Sequence, residues 1–153
     1  MTPAIKVAEK HKITFEVHQY KHDKKHASYG LEAAEKMNVD AQQVFKTLVV
    51  DVDKQLVVAV LPVTQQLNLK AVATALKGKK GQMADKNDVL RSSGYVLGGV
   101  SPLGQKKQLT TLIDVTATEH QTIYVSAGKR GLEIQLAAKD LASILSANFV
   151  SLT

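Results

Sequence analysis

Val44-Phe45-Lys46-Thr47-Leu48-Val49-Val50-Asp51-Val52-Asp53-Lys54-Gln55-Leu56-Val57-Val58-Ala59-Val60-Leu61-Pro62-Val63 is the stretch that decides the fold class of this chain. Val44 to Val52 is a β-branched run interrupted by Lys46 and Thr47. Asp51 to Lys54 carries turn chemistry, and Gln55 to Val63 returns as a second strand ending at Pro62, so the stretch reads as a β-hairpin. Strand alternation puts Val44, Lys46, Leu48 and Val50 on one face and Thr47 on the other. An ammonium group in an apolar row must snorkel to water, find a partner or meet an anion on a ligand, because burying it alone is costly. The plainer alternative is an edge-strand lysine that guards against aggregation.

On the N-terminal side, Thr2-Pro3 opens a helix with a hydroxyl cap and a proline in the first turn, running to about His11. Ile13, Phe15 and Val17 then alternate with polar residues as a half-buried strand, which leaves Tyr20 on the polar face at the strand's exit. Lys21 to Tyr29 reads as a basic loop. A short helix follows, with Leu31, Ala34 and Met37 on its apolar side, and Asp40 caps one further turn. Beyond the hairpin, Asn68 caps an amphipathic helix carrying Leu69, Val72, Ala73 and Leu76, with Gly78 as its stop. Asp85 caps another helix that ends before Gly94. Strands follow at Thr111–Val115, Thr122–Ser126 and Leu132–Leu136, then a helix at Lys139–Leu145 and a strand at Asn148–Leu152. Strands with helices inserted between hairpins predict a single α+β domain over residues 1–153, with a mixed, mostly antiparallel, barrel-like sheet and peripheral helices.

Composition narrows the function. Lys and Arg number 20 against 14 Asp and Glu, and the resulting +6 suits a polyanionic partner as well as it suits a merely soluble surface. The chain has no cysteine, which excludes a disulfide framework, Cys-ligated zinc and a protein thiol nucleophile. It has no Trp and only three Phe and four Tyr, which argues against the stacking platforms of single-strand binders. No apolar run approaches the ~20 residues of a membrane span and Met1-Thr2-Pro3 opens no signal peptide, so a cytoplasmic protein is expected.

Three segments carry candidate chemistry. Lys46 is the first. In the second, Gly98-Gly99-Val100-Ser101-Pro102-Leu103-Gly104, adjacent glycines let backbone N–H groups approach a ligand, although a structural turn explains them equally well. Gly99 and Gly104 have phosphate-loop spacing, but Gln105 stands where that loop needs Lys, and an NTP site is rejected. The third, Ser126-Ala127-Gly128-Lys129-Arg130-Gly131-Leu132-Glu133, joins small residues, two cations and an acid at a strand connection; taken alone it reads as a hairpin loop with solvated charges. His22 and His26 lack a third ligand among the surrounding lysines, so no metal site is expected. No Ser–His–Asp order can be defended. Gly78-Lys79-Lys80-Gly81 reads as a solvated basic turn.

Together and in this order, the segments resemble the YbaK family of free-standing Cys-tRNA(Pro) deacylases, relatives of the editing domain of bacterial prolyl-tRNA synthetases. The resemblance runs from Thr2-Pro3-Ala4 to the last strand. Its specific parts are Val44 to Leu48, Gly94-Tyr95 with Gly98 to Lys107, and Tyr124-Val125-Ser126 with Gly128 to Leu132. It implies that Lys46 is the essential lysine and Thr47 its neighbouring hydroxyl. Tyr20 falls at the pocket mouth, Gly98, Gly99 and Ser101 in the glycine loop, and Ser126 and Gly128 in a second loop. Glu133 stands where close relatives look to have Asp, one methylene shorter. The resemblance further implies that the substrate's own thiol attacks its ester and releases a thiolactone, with no cofactor. The expected partners are the tRNA acceptor end and prolyl-tRNA synthetase, and neither DNA nor membrane. Lys106, Lys107, Lys129 and Arg130 form the expected rim for tRNA, while Lys21, Lys24 and Lys25 are solvated. The alternatives are an Ala-tRNA(Pro) deacylase of the same fold and a non-catalytic module that binds tRNA or a synthetase.

Overall fold

The computed structural model describes residues 1–26 and 28–153. The hairpin forms as read. Strands β2 (Phe45–Val52) and β3 (Gln55–Pro62) pair antiparallel, with Lys46 opposite Leu61 and Val52 opposite Gln55. The two turn residues Asp53 and Lys54 have φ of 50° and 74°, the mirror-image turn whose twist matches that of the flanking strands. Asp51 Oδ1 braces it by accepting the Lys54 N–H at 2.7 Å.

Around the hairpin lie α1 (Pro3–Lys10), β1 (Phe15–Gln19), α2 (Tyr29–Met37), α3 (Leu69–Ala75), β4 (Gly81–Met83), α4 (Lys86–Ser93), β5 (Thr110–Asp114), β6 (Ile123–Lys129), β7 (Leu132–Leu136), α5 (Ala138–Leu145) and β8 (Asn148–Val150). Single 3-10 turns occupy Ala41–Gln43 and Val115–Glu119. The strands form a five-stranded sheet in the order β4-β2-β3-β5-β8 and a three-stranded sheet in the order β1-β7-β6. The β3–β5 and β5–β8 pairs are parallel and the others antiparallel, so the fold is α+β with mixed sheets. The sheets do not close into a barrel. Between them, the described residues show one parallel bridge, Val44 to Tyr124, where β2 and β6 meet.

Alternation then sorts the core. On one side of the five-stranded sheet, Phe45, Val58, Val60 and Ile113 meet Ile123, Val125, Ile134 and Leu136 of the three-stranded sheet, with α1 and α5 sealing the ends. On the other side, Val50, Val52, Val57, Ala59 and Leu112 pack against Val72 and Ala73 of α3. A third cluster joins Ala33 and Ala34 of α2 to Val44 and Tyr124 over the junction of the two sheets. Each contact surface removes apolar area from water at roughly 25 cal/mol per Å².

Several local expectations are corrected. Val17 is 42% exposed, while His18 and Tyr20 on the opposite face are half-buried. The buried face of α2 is Glu32, Ala33 and Ala34, and Leu31 is exposed, because Glu32 has a cationic partner far along the chain. Helix α3 ends through Lys77 at φ 58° rather than through Gly78. Gly78 is required by packing instead, since a Cβ there would lie 2.5 Å from Val52 Cγ1. The basic turn is not simply solvated: the Asp53 carboxylate accepts the N–H groups of Lys79 and Lys80 at 2.8 and 3.1 Å. This delivers the unforeseen β4 to the edge of β2.

Candidate active site

The registers of β1, β7 and β6 set His18, Glu133 and Ser126 directly opposite one another, so their side chains share one face of the three-stranded sheet. The Val44–Tyr124 bridge continues that face onto β2. Two residues further along both parallel strands stand Lys46 and Ser126. The row therefore reads His18, Glu133, Ser126, Lys46 across four strands. At ~4.8 Å per strand, the backbones of Glu133 and Lys46 are about 10 Å apart. Neither side chain has a hydrogen bond or ion pair among the described residues. Burial alone lowers the Lys46 pKa from its ordinary value. Burial alone also pushes the Glu133 carboxyl up to about 8.

Tyr20 closes one end of the row. Its N–H donates to Gly131 O at 2.9 Å, tying the exit of β1 to the β6–β7 turn. Burial first, then the carboxylates of Glu133 and Glu32, push its phenol up to about 12. Tyr20 is therefore a neutral hydroxyl at physiological pH. At the same end, on β1, His18 Nε2 donates to Gln135 Oε1 at 2.8 Å and its ring meets the Tyr124 ring edge-on at 5.4 Å. That imidazole is three strands away from Lys46 and is committed to Gln135. The Ser126 Oγ accepts the Gly128 N–H at 3.1 Å, which shapes the bulge in β6.

The glycine loop folds over the end of β6. A Cβ at Gly99 would sit 3.1 Å from Lys129 Cα and Arg130 N, so the two loops touch through backbone. Gly128 has φ 103° and its missing Cβ makes room for the Tyr95 ring, whose Cε1 would be 2.7 Å away. Tyr95 in turn donates its hydroxyl to Leu103 O at 2.6 Å. The Gly99 N–H is committed to Val96 O at 3.0 Å. The N–H groups of Gly98, Val100 and Ser101 make no backbone hydrogen bond among the described residues, and of the three residues only Gly98 is partly exposed.

The remaining expected residues divide. Thr47 lies on the opposite face from Lys46, in line with Phe45 and Val60, and its buried Oγ1 has no partner. Ser101 is fully buried, and its Oγ accepts the Leu103 N–H at 3.2 Å. Lys129 is exposed. Lys106 is exposed and its stem lies along Gly94, while Lys107 lines a separate cavity of about 180 Å³ with Lys10 and His11. Arg130 is not a free rim cation. Its guanidinium stacks 4.0 Å over the Tyr29 ring, donates to Asp23 O at 3.1 Å and lies 3.7 Å from Glu32 Oε1. Glu32 is fully buried and its Oε2 accepts the Asp23 N–H at 2.6 Å. His26, in the loop before α2, pairs with Glu35 of that helix at 3.0 Å. Sequence reasoning missed Glu32, Tyr29 and His18. Only His18 had a visible signal, its place beside Tyr20 on the polar face of β1.

The family model described as "Aminoacyl-tRNA editing domain" matches residues 25–144, and the chain belongs to that family, the YbaK family. Among its relatives is an Enterococcus faecalis (strain ATCC 700802 / V583) protein named "Putative Cys-tRNA(Pro)/Cys-tRNA(Cys) deacylase EbsC", 37% identical over 153 residues, with 99% of this chain and 93% of that protein covered. A "Proline--tRNA ligase" of Shouchella clausii (strain KSM-K16) is 36% identical over 75 residues, 49% of this chain and 13% of the ligase. The fold superposes with a TM-score of 0.85 on a structure reported as "Crystal structure of a putative trans-editing enzyme for prolyl tRNA synthetase", 19% identical and covering 100% of this chain and 98% of the other. No helix among the described residues is long and apolar enough to cross a membrane.

Proposed function

We propose that the whole chain, residues 1–153, acts as a free-standing deacylase that removes cysteine from Cys-tRNA(Pro), in the cytoplasm and alongside prolyl-tRNA synthetase. One observation carries this reading. The row presents an unpaired, half-buried ammonium and an unpaired acid, yet no activated nucleophile, in a chain without cysteine. Ser126 Oγ accepts the Gly128 N–H and donates to no side chain among the described residues. The nucleophile is then the substrate's own. The cysteinyl sulfur attacks the ester carbonyl, a C–S bond forms, the C–O bond to the ribose breaks, and the thiol proton ends on the ribose oxygen. The products are uncharged tRNA and a four-membered thiolactone. Lys46, with the partly exposed N–H of Gly98, meets the negative charge that grows on the carbonyl oxygen. Tyr20, Gly99, Ser126, Gly128 and Glu133 hold the aminoacyl adenosine in the attacking geometry, which supplies most of the rate, while Thr47, on the opposite face, does not touch it. A substrate-borne thiol also gives a selectivity that a small pocket cannot reach by size. Lys106, Lys107 and Lys129 contact the phosphates of the acceptor end, and Arg130 organises the loop beside them.

The test is to incubate the protein with Cys-, Ala- and Pro-charged tRNA(Pro) and follow the ester. Loss of the cysteinyl ester alone, with thiolactone released, is expected. Loss of Ala but not Cys replaces the reading with an Ala-tRNA(Pro) deacylase that uses water or a ribose hydroxyl. No loss from any of the three leaves a binding module.

A further inference from the structure

Glu133 faces groups from every element around it. His18 on β1 is spent on Gln135, and Tyr20 is a neutral phenol. Ser126 on β6 accepts from its own loop, and Lys46 on β2 stands two strands away. Arg130, the nearest guanidinium in sequence, is occupied by Glu32, Asp23 and Tyr29. A carboxyl only 7% exposed therefore lacks any cation of its own, although the face it lines holds a lysine about 10 Å away in the same row. A buried acid without a partner is costly to ionise, and a ligand that carries its own cation removes that cost. An aminoacyl ester is such a ligand. Its α-ammonium and its carbonyl oxygen are attached to adjacent carbons, so one small group brings a cation to the acid side of Ser126 and a developing anion to the lysine side.

We infer that Glu133 is the recognition group for the α-ammonium of the aminoacyl moiety, and that it gives up its proton when that ammonium arrives. The inference rests on the preceding reading that an aminoacyl ester occupies this face. The bookkeeping is simple. A neutral Glu133 carboxyl and a ligand ammonium enter, a carboxylate–ammonium pair forms, and one proton passes to the buffer. Lys46 and Glu133 do not neutralise each other because β6 separates their strands, which leaves room for the ligand between them.

Calorimetric titration of the intact protein at pH 6.5 tests this, with 3′-deoxy-3′-(L-cysteinylamino)adenosine and its desamino counterpart, the 3-mercaptopropionyl amide. Repeating each titration in two buffers of different ionisation enthalpy counts protons. The cysteinyl amide is expected to bind at least tenfold more tightly than the desamino amide and to release close to one proton. Glu133→Gln is expected to erase both the preference and the release, whereas Glu133→Asp, which keeps the charge, retains both. Equal affinity for the two amides overturns the inference, as does proton release that survives in Glu133→Gln. So does failure of both amides to bind. Deacylation of Cys-tRNA(Pro), followed in parallel, separates the two readings. Turnover without ammonium preference sinks this inference alone, and ammonium preference without turnover sinks the deacylase reading alone.

Discussion

Replacing Glu133 with Gln should make this protein more stable, and increasingly so as the pH rises. The unfolded chain ionises a glutamate near the ordinary 4.5, whereas the folded chain holds the Glu133 proton until about 8 because the carboxyl is buried. Between those two pH values the unfolded state has shed a proton that the native state retains, so this group makes stability fall as pH rises, opposite to a salt-bridged carboxylate. At 1.36 kcal/mol per pH unit, the full displacement from 4.5 to about 8 amounts to about 5 kcal/mol, of which roughly 3–4 develops between pH 5 and pH 8. That is a large share of the ~5–15 kcal/mol by which domains are stable, and in a chain of this size it corresponds to roughly 10 °C in melting temperature. Urea unfolding followed by circular dichroism at pH 5, 6, 7 and 8, on both proteins, measures it. Other titrating groups cancel in the difference between the two curves. The two proteins should be close to equal at pH 5 and Glu133→Gln ahead by several kcal/mol at pH 8. A difference that stays constant across this range refutes the idea that Glu133 is held neutral in the fold.

Three further outcomes are expected. Lys46→Met should fold normally and lose deacylation of Cys-tRNA(Pro) by at least about a hundredfold, on the scale of one lost charge-stabilising donor; unchanged turnover removes Lys46 from the chemistry. Gly128→Ala should lose about 1–3 kcal/mol in denaturant unfolding, because φ 103° is strained for alanine and its Cβ meets the Tyr95 ring; wild-type stability shows that β6 relaxes there at no cost. Arg130→Met should destabilise by about 3–5 kcal/mol by stranding the buried Glu32 carboxylate, and adding Glu32→Gln should recover part of that loss; strictly additive effects in the double-mutant cycle rule out coupling between the two.

The β2–β3 hairpin was legible because its signal is local: a period of two, β-branched residues, and a turn whose chemistry lies in four consecutive positions. The caps at Thr2, Asn68 and Asp85 were legible for the same reason, each accepting an N–H two or three residues away. The face of α2 was not, because Glu32 is buried by virtue of Arg130, 98 positions later. Strand β4 was hidden as well: three residues starting with glycine hold no periodicity, and an aspartate in the opposite turn delivers them to the sheet edge. Of the site, Lys46 was visible as a cation in an apolar row, and Tyr20 as a polar-face residue. The adjacency of Lys46, Ser126 and Glu133 was not readable from pattern, since it depends on the registers of β1, β7 and β6 and on a lone bridge between sheets.

Strand β1 pairs with β7, and Gln19 meets Leu132, residues 113 positions apart. During synthesis, at ~5–20 residues per second, the first strand therefore waits roughly 6–20 s for the ribosome to deliver its partner. Throughout that interval its backbone N–H and C=O groups are an open template for any other extended chain. Glu16 within the strand and Lys21, Lys24 and Lys25 just after it are the charges that keep a nascent β1 from pairing wrongly. The face bearing Glu133 and Ser126 is therefore assembled only once β7 has been made, late in synthesis and shortly before α5 and β8.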